Sequence, residues 1–229
     1  MLKEAPLLTV RRKFARPPAD RVAKLKGAQT GHIVDAMMGR GALDYRIKPI
    51  DPANASFVGV ALTCQPGADD NLAIMAALAL AEPGDVIVAA ADAFEGTAVV
   101  GDNVCLMARN KGLAGIVVDG MARDLDGIVA AGLPLHARGI TPNSCMRTGP
   151  GKVGLPVVVA GMAVHSGDIV LGDRDGIVVV PAAELEHVIA ALDEIRAAED
   201  ATQAKIRAGM THLDSVAKIL ASDKVVYLD

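Results

Sequence analysis

Between Val86 and Ala131 the chain alternates strand, helix, strand and helix, and this succession constrains its fold more than any other feature. Val86 to Ala91 and Gly115 to Val118 are short apolar runs bounded by Gly and Asp, the pattern of strands buried on both faces. A helix is expected between them, from about Asn103 to Lys111, and another from Asp124 to Ala131. Strands joined through helices pair in parallel by right-handed crossovers, with the helices covering the sheet.

The flanks extend this centre. Residues 1–19 read as an N-terminal arm, basic at Arg11-Arg12-Lys13 and ending near Pro17-Pro18, ahead of a helix from Asp20. Thr30 to Met38 reads as a second helix with Thr30 as its N-cap. Ser56 to Cys64 alternates and is expected as a strand, and Asp69 or Asp70 then caps an apolar helix to Ala81. Glu82-Pro83-Gly84-Asp85 turns the chain back into the sheet. Val157 to Ala160, Ile169 to Leu171 and Ile177 to Val180 have short Gly-rich connections, which suits antiparallel or barrel-like pairing. Pro181 opens a long helix that passes Arg196 and continues toward Lys205, where it would reach a neighbouring subunit. No low-complexity linker interrupts residues 20–229, which are expected to form one domain.

Composition narrows the function classes. At 229 residues the chain can bury a full core, and it does so with Ala, Val, Ile, Leu and Gly rather than aromatics: it has no Trp, two Tyr and three Phe. A net charge of −4 without a basic stripe argues against nucleic acid as a direct ligand. Cys64, Cys105 and Cys145 lack CxxC spacing and suit idle thiols in a reducing compartment. Without an apolar leader or a membrane-length run, a cytoplasmic protein with no membrane contact is expected.

Two short motifs carry chemistry. At the exit of Gly115 to Val118 stands Asp119-Gly-Met-Ala-Arg123-Asp124. Ligands of open α/β sheets collect at that edge. Arg offers a planar fork for a carboxylate or phosphate, and Asp a hard oxygen for a divalent cation; the same pair is also compatible with a surface ion pair. The second motif is Gly101-Asp102-Asn103-Val104 at a helix start, either an Asp cap serving its own helix or an anion site built from free N–H groups. The two would share one sheet edge. Other motifs fail. Thr148-Gly-Pro-Gly-Lys-Val153 lacks the first glycine and the hydroxyl residue of a phosphate loop, and no GxGxxG follows a strand to support a dinucleotide or S-adenosylmethionine site. The five histidines show no metal spacing and read as surface or turn residues. No Ser sits in a nucleophile elbow, and no lysine within an apolar strand offers Schiff-base chemistry. An acidic metal site with an anion clamp remains. Its one obvious ligand, Asp124, suits Mg²⁺ or Mn²⁺ that keeps waters and takes oxygens from substrate.

Gly101 to Val104, Gly115 to Asp124, Gly167-Asp168 and Asp173-Arg-Asp-Gly-Ile-Val-Val-Val-Pro181 resemble, in order and spacing, the RraA-like family over roughly residues 25–185. That family includes class II 4-hydroxy-4-methyl-2-oxoglutarate and 4-carboxy-4-hydroxy-2-oxoadipate aldolases. The resemblance implies a single swivelling α/β/β-type domain with a mixed, partly parallel sheet, a long C-terminal helix and assembly as trimers or hexamers. It implies that Arg123 binds the keto-acid end of the substrate and that Asp124 anchors the metal. Gly101, Asp102, Asn103 and Val104 match the loop whose amides hold a pyruvate carboxylate, and Asp102 matches a residue working through water in proton transfer. Glu199 matches an acidic residue from an adjacent subunit. Asn103 departs from the apolar residue usual there, which backbone binding tolerates. The implied reaction releases pyruvate from a 4-hydroxy-2-oxo acid, with oxaloacetate decarboxylation alongside. The alternative is a non-enzymatic regulator of RraA type that binds a ribonuclease; such members lack the metal-binding Asp.

Overall fold

A computed structural model describes residues 6–228. In chain order it begins with β1 (Leu8–Val10), α1 (Ala19–Ala23), α2 (Thr30–Ala36) and β2 (Lys48–Pro49). The centre follows as β3 (Phe57–Gln65), α3 (Leu72–Leu80), β4 (Asp85–Ala89), β5 (Ala98–Val100) and α4 (Asp102–Asn110). Next come β6 (Gly115–Val118), β7 (Met121–Ala122), α5 (Leu125–Ala131), β8 (Leu135–Ala137) and β9 (Gly139–Ile140). The last third holds β10 (Gly151–Val153), β11 (Val157–Val159), β12 (Met162–Val164), β13 (Ile169–Gly172), β14 (Ile177–Val180), α6 (Leu185–Arg207) and α7 (Asp214–Leu220). The expected fold class is therefore observed: a mixed α/β sheet with a long C-terminal helix.

β3, β4, β6 and β8 pair in parallel, as the alternating centre requires. Every residue of β4 and β6 is buried, which explains their unbroken apolar runs. The later strands pair antiparallel, β11 with β12 and β13 with β14. β3 joins the two regimes, because its outer edge is divided. Phe57 to Val60 pair with β13, and Cys64 and Gln65 with β10. One apolar layer packs α3, α4 and α5 on the parallel strands through Ile74, Ala77, Val104, Cys105 and Ile128. Another holds α1, α2 and α6 against β13 and β14.

Several expectations are corrected. The arm is tied into the sheet: β1 runs parallel to β10, and Arg16 donates to the buried Asp85 carboxylate at 2.5 and 3.0 Å. Residues 1–5 lie outside the described residues. Thr30 is not the cap of α2; Gln29 takes that position, and Asp173 from the other end of the chain accepts from Thr30 N–H and Oγ1 at 2.8 and 2.9 Å. Asn71 stands at the cap of α3, while Asp70 accepts from Leu72 N–H at 2.7 Å. Pro181 precedes a short 3₁₀ turn, so α6 begins at Leu185. His136 is wholly buried rather than at the surface, its Nε2 2.9 Å from the Asp173 carbonyl oxygen. Lys152 does lie in a strand, β10, but on its exposed side. Among the described residues no helix is long and apolar enough to cross a membrane.

Candidate active site

β5, β7 and β9 form a small parallel sheet beside the main one, and this platform carries the site. Val100 on β5 pairs with Ala122 on β7, and the Arg123 N–H donates to the Val100 carbonyl at 3.0 Å. The strand ends that launch α4 and α5 therefore lie side by side, so Gly101 to Val104, Arg123 and Asp124 line one cavity of about 140 Å³. Asp119, two residues before β7, is buried and ties that approach to neighbouring loops. Its buried carboxylate accepts from Ala91 N–H at 2.5 Å and Ala160 N–H at 3.2 Å, and burial pushes its carboxyl above the usual carboxylate range.

Asp124 occupies the cap position of α5 in the left-handed region, φ 64°. Asp tolerates that conformation better than most residues. Its Oδ2 lies 3.2 Å from Arg123 Nε, so the pair is both an ion pair and part of a cavity. Both side chains remain well exposed, at 39% and 44%. Arg123 Nη1 also donates to Ser144 Oγ, which fixes the guanidinium from the far wall. Two glycines permit the close approach. A Cβ on Gly101 would sit 2.8 Å from Asp124 Oδ2, and one on Gly127 would sit 2.5 Å from the Asp102 Cβ.

At the start of α4, Gly101 is the cap and Asp102 the first helical residue. First-turn N–H groups have no helical acceptor, and the positive end of the helix dipole adds to their attraction for an anion. Asn103 N–H donates to Asp102 Oδ1 at 2.6 Å, so Asp102 serves its helix and lines the cavity at once.

The far wall was not legible in the sequence. Residues 144–149 are clamped by Asp70, whose Oδ2 accepts from Thr148 N–H at 2.5 Å and Gly149 N–H at 2.9 Å. Although burial works against ionisation, these N–H groups and that of Leu72 hold the Asp70 carboxyl below its usual range. The clamp brings Ser144, Cys145 and Arg147 onto the cavity. Arg147 Nε donates to Asn71 Oδ1 at 3.0 Å, and Asn71, itself buried, donates from Nδ2 to the Val99 carbonyl at 3.4 Å. The one available signal was Arg147 standing just before the Gly149-Pro150-Gly151 turn. Burial, Asp69 and Asp70 push the Cys145 thiol up, which argues against a nucleophilic thiolate.

Glu199 does not line this cavity; on α6 it pairs with His32 Nε2 and accepts from Gln203 Nε2 at 3.1 Å. Among the described residues no three His, Cys, Asp or Glu side chains converge. The cavity instead offers two carboxylates, Asp124 and Asp102, with Asp124 Oδ2 facing Arg123 Nε and Cys145 kept as a thiol by its raised pKa. Such a setting fits a hard divalent cation that keeps several waters, and does not fit zinc.

Known proteins share this architecture. A protein of Halalkalibacterium halodurans named "Putative 4-hydroxy-4-methyl-2-oxoglutarate aldolase" is 36% identical over 187 residues, 82% of this chain and 89% of that protein. Streptomyces coelicolor RraAS2, described as an unusual member of the RNase ES inhibitor RraA family, superposes with a TM-score of 0.74 at 27% identity. That match covers 83% of this chain and 99% of RraAS2. The RNA-processing inhibitor RraA of Thermus thermophilus superposes with a TM-score of 0.62 at 30% identity, over 67% of this chain and 93% of that one. The Aldolase/RraA model matches residues 30–179, a span that contains both cavity-forming helix starts, and the chain belongs to the RraA-like family.

Proposed function

We propose that this protein is a divalent-metal-dependent aldolase that cleaves a 4-hydroxy-2-oxo di- or tricarboxylic acid into pyruvate and a second oxo acid. The observation that carries the reading is the cavity itself. An anion-seeking helix start, a guanidinium and a cation-seeking carboxylate converge there, with Asp102 beside them. Aldolase names among the relatives support the same class.

The chain's residues divide the work. The helix start from Gly101 to Val104, through the N–H groups that Asp102 does not take, receives the carboxylate at the pyruvyl end. Arg123, held by Ser144 and Asp124, binds the adjoining keto-acid oxygens. In the cleavage a base takes the C4 hydroxyl proton, the C3–C4 bond breaks, and its electrons move toward C2 as an enolate. Negative charge grows on the oxygen facing Arg123 and the helix start, where fixed donors stabilise it without reorganisation. Asp102 holds the water through which the proton moves. Asp124 would anchor Mg²⁺ or Mn²⁺, which supplies Lewis acidity at the 2-oxo group when bound. Loss of CO₂ from oxaloacetate generates the same enolate, so that decarboxylation belongs to the same site.

Glu199 would act from a neighbouring copy in a trimer or hexamer. Supporting this, no residue of α7 is buried, and Ile206, Val216, Ile219 and Leu220 beyond the core are exposed. Coupled detection of pyruvate across a panel of 4-hydroxy-2-oxo acids, with Mg²⁺, Mn²⁺ or chelator, tests the function. Metal-dependent release is expected; release that survives complete chelation overturns the metal assignment. A second reading, a regulator that binds a ribonuclease, is favoured by the two RraA neighbours. Tight capture of a ribonuclease without turnover of any acid would decide for it.

A further inference from the structure

The geometry points to Arg147 as the residue that selects a second carboxylate on the substrate, the one carried beyond C4. The inference rests on the aldolase reading for the orientation of the substrate, because the helix start and Arg123 take the pyruvyl end.

Three observations carry it. First, Arg147 is exposed but anchored. Its Nε is tied to Asn71 Oδ1, Asn71 is 7% exposed, and the segment behind it is fastened by the Asp70 carboxylate and by Met146 N–H to the Asp69 carbonyl at 2.9 Å. Second, its engagement differs from that of Arg123. Arg123 meets the Asp124 carboxylate and the Ser144 hydroxyl, whereas Arg147 meets only a neutral amide among the described residues. Its Nη edge is left for a planar anion, which a guanidinium grips with two parallel hydrogen bonds. Third, the charges balance. Asp102 and Asp124 offset Arg123 and Arg147 among the cavity-lining side chains. With a divalent cation added, the cavity carries an excess of two positive charges, which a dicarboxylate dianion neutralises and a monocarboxylate does not.

The assignment is testable by binding, apart from turnover. The probes are 2-oxoglutarate and 2-oxopentanoate, which share a five-carbon 2-oxo acid chain and differ in the distal carboxylate. Neither has the 4-hydroxyl needed for cleavage. Calorimetry in Mg²⁺ on the full chain is expected to show 2-oxoglutarate binding about 100-fold more tightly to the natural protein, the scale of a two-bond charged contact. Arg147→Gln should reduce that preference to within about threefold, and Arg147→Lys, which keeps charge without the fork, should fall between. A preference that persists in Arg147→Gln overturns the assignment. So does an equal weakening of both acids, which would mark a structural role, or a natural protein that does not discriminate. If binding discriminates but no 4-hydroxy-2-oxo acid yields pyruvate, the aldolase reading fails while Arg147 keeps its anion.

Discussion

At Asp173 both carboxylate oxygens are committed to the protein itself. They accept from Thr30 N–H, Thr30 Oγ1 and Asp175 N–H, while the Asp173 carbonyl faces His136. At Asp124 the carboxylate shares one oxygen with Arg123 and stands 44% exposed at the mouth of a cavity. The two regions use the same residue type in opposite ways. One joins α2 to the strand end across 143 positions of sequence, and the other keeps charge available at a helix start. Substitutions should therefore separate: those at Asp124 change chemistry, and those around Asp173 change stability.

The largest effect is expected at Asp124. Asp124→Ala should lower pyruvate release by about 1,000-fold if the proposed cation anchor is lost with it, with the fold retained in circular dichroism. An activity within tenfold of the natural protein would break the contrast. Next comes the buried region's response to acid. Burial lowers the His136 pKa to about 4, chiefly by desolvation, against about 6.5 in the unfolded chain. Between these values the unfolded state takes up a proton that the folded state refuses, so stability falls as pH drops from about 6.5 to 4. The loss should reach about 3 kcal/mol in denaturant titrations, and His136→Gln should flatten that limb.

Asp173→Ala sharpens the comparison at a smaller scale. Removing an acceptor shared by three donors should cost about 2 kcal/mol in unfolding free energy, with activity per folded molecule preserved. The smallest effect is at Gly101. A Cβ there meets the movable end of Asp124 at 2.8 Å and Arg123 Cγ at 3.4 Å, so Gly101→Ala should keep its melting temperature and lose about tenfold in kcat/KM. A loss of stability instead would place Gly101 with the scaffold.

What the sequence disclosed depended on range. β4, α4, β6 and α5 are set by local pattern. Gly101 to Val104 and Arg123-Asp124 do lie together, but at the ends of β5 and β7 in a separate small sheet rather than at the edge of β4 and β6. The short strands β5 and β7 carry no signal in the sequence. Arg123 and Asp124 form an ion pair that also lines the cavity, so the first reading does not displace the second. Long-range events were hidden. Nothing near Thr30 announces that Asp173 satisfies its N–H, and nothing near Arg147 shows that Asp70, 78 positions before Thr148, folds that loop over the cavity. His136 looked like a surface residue because its neighbours in sequence do not reveal the Phe57 ring packed edge-on against it at 5.5 Å. β1 escaped notice as a three-residue strand whose partner lies more than 140 positions away.

The two walls of the cavity come from separate stretches of chain, residues 98–124 on one side and 144–147 with Asn71 on the other, each with hydrogen-bonded support. Apart from Ser144, which holds Arg123, the second stretch can therefore change without the first. A lineage that rewrites Arg147 while Asp70 keeps its grip and Ser144 keeps Arg123 would inherit the proposed pyruvate end intact and acquire a new appetite at the other, without first having to refold.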